Sequence, residues 1–172
     1  FEKAFDRWAQ GGEFDGVILL ANTFHLKEEY DYIRRIIKEK NLMAVSLEYQ
    51  LPEIDFWGTD NYTGMYELCT HLVESHGVRD VVYISGPDDN AESDIRRMAL
   101  EDVLGEFGVS FKEENVFYGN WNYYEVERKL PKWLAERSKL PDVFVCANDV
   151  MAMATCAVLN RLGIAVPDDV KV

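Results

Sequence analysis

Apolar runs and amphipathic stretches alternate along this chain. "DGVILLA" (15–21) is a short, nearly unbroken apolar run closed by Asn22, the pattern of a buried strand. "LKEEYDYIRRIIKEK" (26–40) places Leu26, Tyr30, Ile33 and Ile37 at helical intervals, which predicts a surface helix. "LMAVSL" (42–47) is the next strand. "YTGMYELCTHLVESHG" (62–77) carries Tyr62, Met65, Tyr66, Cys69, Leu72 and Val73 on one stripe and stops at Gly77, a residue suited to a helix end. "DVVYISG" (80–86) is a strand ended by Gly86-Pro87, and 93–108 is a helix ended by Gly108. A short strand (115–119), a helix (122–137), a strand (142–147) and a largely apolar helix (149–162) follow, and "PDDVKV" opens one more strand. Asn122 with Glu125 predicts a capping box, and Pro131 should kink that helix or split it.

Strands this continuously apolar, alternating with helices, predict a parallel α/β sheet covered on both faces. The stretch "EYQLPEIDFWGTD" (48–60) has little periodicity and reads as an irregular crossing between two lobes. With the boundary near Gly58, residues 1–58 form a partial N-terminal lobe and 59–172 a nearly complete C-terminal one. The opening "FEKAFDRWAQ" lacks methionine and carries Phe1, Phe5 and Trp8 at helical spacing, so the chain reads as an excerpt of a longer protein.

Charge and cysteine content narrow the partners. A net charge of −13 repels phosphate backbones, so this segment is not expected to grip nucleic acid itself. No apolar run is long enough to span a bilayer, so no membrane contact is expected. The three cysteines, Cys69, Cys146 and Cys156, each sit in an apolar context and read as buried thiols in a reducing compartment, the cytoplasm.

In open parallel sheets ligands sit outside the carboxyl ends of the strands. The residues closing each apolar run, from Asn22 and Glu48 to Asp60-Asn61, 88–93, 119–122 and Asn148-Asp149, are rich in amides and carboxylates. They include no dinucleotide fingerprint, phosphate loop or nucleophile elbow, so no enzyme and no cofactor are expected. His25, His71 and His76 lack i, i+4 spacing and a cysteine partner, so no metal is expected. Trp121, between Asn120 and Asn122, suits stacking on a sugar or purine, and reads equally as a lid packed on the sheet edge. Arg97 could clamp hydroxyls or a carboxylate, or be a surface charge beside Arg96. Ser93 reads first as a helix cap and second as a ligand contact.

Taken in order, "GTDNYTGMYELCTHLVESHGVRDVVYISGP", "SDIRRMALEDVL", "YGNW" and "PDVFVCANDVMAMATCAVLNRLGIAVPDDVKV" resemble the effector-binding region of the lactose-repressor/galactose-repressor (LacI/GalR) family. The resemblance covers essentially the whole chain. It implies a two-lobed periplasmic-binding-protein-like fold of type I, with doubly wound parallel sheets and only part of the first lobe present. It implies Arg97 as the effector-clamping arginine, Trp121 as an aromatic wall and Asn148 as a ligand-contacting amide. Asn22 and Ser93 are carried as further contacts, and Asp149 as the cap of the next helix. Leu100 departs from the family pattern, which has glycine after the arginine.

The function so implied is a ligand sensor of a bacterial transcriptional regulator, binding a sugar first and a purine-like ring second. It would be a homodimer that meets DNA only through a separate domain. The alternatives are the sensor of a signalling enzyme such as a diguanylate cyclase, a transport-associated sugar-binding protein, and a doubly wound enzyme.

Overall fold

The computed structural model describes residues 14–21, 27–88 and 90–172. The chain divides into two compact units, Phe1–Thr59 and Asp60–Val172.

In the first unit, β1 (Gly16–Leu20), α1 (Lys27–Lys40), β2 (Met43–Leu47) and β3 (Asp55–Trp57) build a three-stranded sheet in the order β1-β2-β3. Both pairings are parallel. Ile33 and Ile37 of α1 meet Leu19, Ala21 and Leu51 in a small core. The strand β3 corrects the irregular crossing expected over 48–60. All three of its residues are exposed, so no hydrophobic period marks it. Backbone register makes it a strand, with Val45 opposite Asp55 and Leu47 opposite Trp57. The link 48–54 turns through Glu48 (φ 60°) and Glu53 (φ 65°) and is pinned by the buried Leu51.

The second unit runs α2 (Asn61–His76), β4 (Val81–Ser85), α3 (Ala91–Glu106), a 3-10 turn (Glu113–Asn115), β5 (Val116–Tyr118), α4 (Tyr123–Ala135), β6 (Val143–Cys146) and α5 (Asp149–Arg161). Its sheet is parallel in the order β5-β4-β6, and Lys171 adds a parallel bridge beside Val143. From β4 the chain steps to one side for β5 and to the other for β6. Right-handed crossovers therefore put α3 and α4 on opposite faces. Accordingly α2 packs beside α3, and α5 beside α4. Covered on both faces, all five residues of β4 are buried, which explains its unbroken apolar run. Tyr83, Ile84, Phe144, Leu100, Leu130, Met151 and Leu159 fill the core, each large side chain contributing about 1.5–3 kcal/mol by burial.

Every helix of this unit starts on an Asp or Asn side chain. Asp60, Asn90, Asn122 and Asn148 each accept a backbone N–H of the first turn. α3 thus begins two residues before Ser93, which is not its cap. Asn122 takes the N–H groups of Tyr124 and Glu125, but the Glu125 carboxylate pairs with Arg128 and Lys129, so the capping box is one-sided. α4 runs through Pro131 as one helix, because Val126 and Leu130 are buried and outweigh the one lost backbone bond.

Candidate ligand-binding site

At the carboxyl end of a parallel sheet each strand hands over to a helix, leaving polar groups free to face a ligand. In the second unit these ends are tied together. Gly119 N (2.9 Å) and Asn120 N (3.1 Å) both donate to the Ser85 carbonyl, and Ala147 N donates to that of Ile84 (2.9 Å).

The turn from β5 to α4 holds two successive residues in the left-handed region, Asn120 (φ 55°) and Trp121 (φ 57°). That conformation costs a residue with a Cβ about 1–2 kcal/mol, and here it brings the indole back against β4. A Cβ built on Gly86 would come within 2.5 Å of Trp121 Cζ2, so the ring rests on a bare α-carbon. The indole is half-buried and packs on the core.

Arg96 of α3 meets this ring, its Cζ 5.7 Å from the centroid. Its Nε and Nη2 donate to Asn61 Oδ1 at 3.0 and 2.7 Å, Nη2 also reaches Glu92 Oε2 at 3.4 Å, and Nη1 donates to the Ala147 carbonyl. One guanidinium therefore joins the start of α2, the end of β6 and the aromatic wall. Glu92 offsets much of its charge.

The sequence candidates fall into three groups. Trp121 and Asn148 lie at these strand ends, on the turns after β5 and β6. Arg97 does not. It turns to Glu101 (2.7 Å) and Glu113 (2.8 Å), in a groove of about 420 Å³ lined also by Leu104, Phe111 and Lys112. Burial opposes its charge, but the two carboxylates hold its pKa above the ordinary arginine value. The Tyr118 hydroxyl and Arg97 both hydrogen-bond Glu113, which keeps that acid below its usual range. Arg97 is held by these two ion pairs, and it is Arg96 that lies beside Trp121 at the strand ends. Ser93 is buried and spent: its Oγ accepts from Gly86 N (3.0 Å) and lies 3.2 Å from Ser85 Oγ. It binds α3 to β4. Asn22 lies outside the described residues.

The Asn148-Asp149 pair corrects the expected cap, which is the amide and not the acid. Asn148 Oδ1 accepts from Met151 N at 2.9 Å and caps α5, while Asp149 is the first, exposed residue of that helix. The Asn148 amide nitrogen has no hydrogen bond among the described residues, so a donor is left at the edge.

Sequence reasoning named Asn61 among the strand-end candidates but gave Arg96 no role beyond a charge beside Arg97. Each arginine has a glutamate four residues away, Glu92 for Arg96 and Glu101 for Arg97, so helical spacing cannot choose between them. The choice is made by Asn61 and Ala147, which are distant in sequence.

Chemically this edge can hold a molecule. It offers a flat aromatic face, a guanidinium and an amide donor. Burial pushes the nearby Cys146 thiol up to about 12, so it is no nucleophile. Among the described residues no three His, Cys, Asp or Glu side chains are grouped for a metal. Arg96, Trp121 and Asn148 line none of three grooves of about 420–560 Å³ on the unit.

The profile of the periplasmic binding protein-like domain matches residues 70–172. The transcriptional repressor PurR of Aliivibrio fischeri (strain MJ11) is 26% identical over 148 residues, covering 79% of this chain and 44% of the repressor. A sugar-binding LacI-family regulator from Escherichia coli, solved with phosphate, superposes with a TM-score of 0.79 at 20% identity over 98% of this chain and 59% of that one. The regulator CelR in complex with cellobiose gives 0.78 at 24% identity, covering 98% of this chain and 51% of CelR. The chain thus spans about half the length of these proteins.

Proposed function

We infer, from the premise that this chain belongs to the periplasmic binding protein-like family in its LacI-type effector-binding form, that it is the ligand sensor of a bacterial transcriptional regulator. The observation that carries the reading is Arg96 laid beside Trp121 at the carboxyl edge of the second unit's sheet. A neutral ring with several hydroxyls suits it best. The indole stacks on the apolar face of such a ring, and Arg96 and the Asn148 amide donate to its edge. Glu92 and the overall charge of −13 disfavour an anion. Cellobiose in CelR supports a sugar, and a purine-like ring stands second.

The two units, Phe1–Thr59 and Asp60–Val172, are read as the first and second lobes of that fold, with the boundary within two residues of the expected Gly58. The regulator works in the cytoplasm as a homodimer, and its DNA contacts come from a segment outside this sequence. The ligand acts by binding one arrangement of the sensor better than another, and it shifts the output only by that difference. Couplings of this kind amount to about 1–3 kcal/mol.

The test is a thermal-shift screen of the full-length protein against neutral sugars, nucleosides and sugar phosphates. A ligand at about 100 times its Kd adds about 2.7 kcal/mol to stability, a readily measured rise. A neutral sugar should give that rise, Trp121→Ala and Arg96→Ala should remove it, and Arg97→Ala should keep it. Loss of binding in Arg97→Ala with retention in Arg96→Ala would sink the site, and preference for sugar phosphates would sink the ligand class.

A further inference from the structure

We propose that His71 and His76, at the end of α2, form a binding site for one divalent transition-metal ion of the nickel, zinc or copper kind. Five residues along a helix correspond to about 140° of rotation beyond one turn, which is why their spacing argues against a shared ligand. The structure nonetheless brings their Nε2 atoms to 3.2 Å. His76 is the last residue of α2, just before Gly77 turns left-handed at φ 64°. The rings meet edge to face, centroids 4.9 Å apart and planes at 86°. Both side chains are exposed, so an ion reaches them without opening the fold.

Two imidazole nitrogens this close repel unless something positive lies between their lone pairs. Without metal that is one proton, donated by one ring and accepted by the other. A metal ion can replace it. With metal–nitrogen bonds of about 2.0–2.1 Å and a tetrahedral angle, the two nitrogens sit about 3.3–3.4 Å apart. The observed 3.2 Å is short of that by a small ring movement. Perpendicular planes let each lone pair stay within its own ring while both point at one ion. The displaced Nε2 proton goes to solvent and that ring takes one up at Nδ1, so the charge of the pair is unchanged before the ion adds its own. No third His, Cys, Asp or Glu joins them among the described residues, so water completes the coordination and the ion exchanges freely. The exposed Glu67 and Glu74, four before and three after His71 on the same helix, add a negative field that favours a cation. Imidazole donors select nickel, copper and zinc over calcium and magnesium. The site is independent of the candidate ligand site, and an ion there would fasten the last turn of α2.

Calorimetric titration of the untagged full chain with nickel chloride, and separately zinc chloride, tests this. One ion should bind per chain, His71→Ala and His76→Ala should each weaken nickel binding at least tenfold, and His25→Ala should leave it unchanged. Nickel should raise the melting midpoint of the wild type and of neither His71 nor His76 variant. His71→Gln, which keeps a polar side chain of similar reach, serves should alanine disturb the helix end. No saturable binding at millimolar nickel, or equal affinity in the double variant, overturns the proposal.

Discussion

Asn148 has two separable duties, and two substitutions divide them. Its Oδ1 caps α5 through Met151 N at 2.9 Å, and its amide nitrogen is the donor proposed to face the ligand. Asn148→Ala removes both. Loss of an Asn cap costs about 1 kcal/mol, within a range of about 0.5–2. The whole of that should appear here, because α5 buries Met151, Ala154, Thr155, Val158 and Leu159 and cannot fray without opening the core. For a unit of this size the melting midpoint should fall by about 3–5 °C. Asn148→Asp keeps an oxygen at the capping position and adds a negative charge at a helix N-terminus, which is favourable. The guanidinium of Arg96, bonded to the neighbouring Ala147 carbonyl, helps to offset repulsion from Asp149. Its midpoint should therefore stay near wild type while ligand binding is lost. Melting followed by circular dichroism, paired with the ligand-induced shift, reads both. Equal destabilisation by Ala and Asp would refute the capping argument, and full binding by Asn148→Asp would refute the amide's role.

Three further outcomes follow from packing and burial. Gly119→Ala should destabilise by about 1–3 kcal/mol in a denaturant melt, since its Cβ would lie 2.6 Å from Met151 Sδ and 2.9 Å from Val126 Cγ2. Ser93→Ala should cost about 1–3 kcal/mol by the same measure, because it strands the buried Gly86 N–H now held at 3.0 Å. Burial pushes both Cys69 and Cys146 up to about 12, so a thiol reagent at mildly alkaline pH should label them only on unfolding. Above the ordinary thiol range the unfolded chain sheds protons that the folded chain keeps, so stability should fall as pH rises there.

The fold was largely legible because the central strands of the second unit are buried apolar runs and the helices carry stripes, although β1, read as buried from a similar run, buries only Leu19. The exception, β3, pairs through its backbone alone and shows nothing inside, so hydrophobicity could not announce it. The strand ends were legible, their duties were not. Strand ends rich in amides marked one edge of the sheet as the candidate, and Trp121 and Asn148 do lie on its turns. Yet Asn90, Asn122 and Asn148 all serve as helix caps, a duty with the same composition as ligand contact. Trp121 was even between a ligand wall and a lid on the sheet edge, and its packing over Gly86 shows that one ring can do the second without losing the first. Arg96 could not be told from Arg97 because the deciding partners, Asn61 and Ala147, lie 35 and 51 residues away.

The missing side chain at position 86 has one more consequence. The indole above it has no fixed height of its own; it settles as low as the atom beneath allows. Adding a single methyl there would tilt or lift the ring and reshape the ledge, while every group able to touch a guest stayed chemically the same. In the proposed site, selectivity is thus partly delegated to a residue that would never meet what it helps to choose.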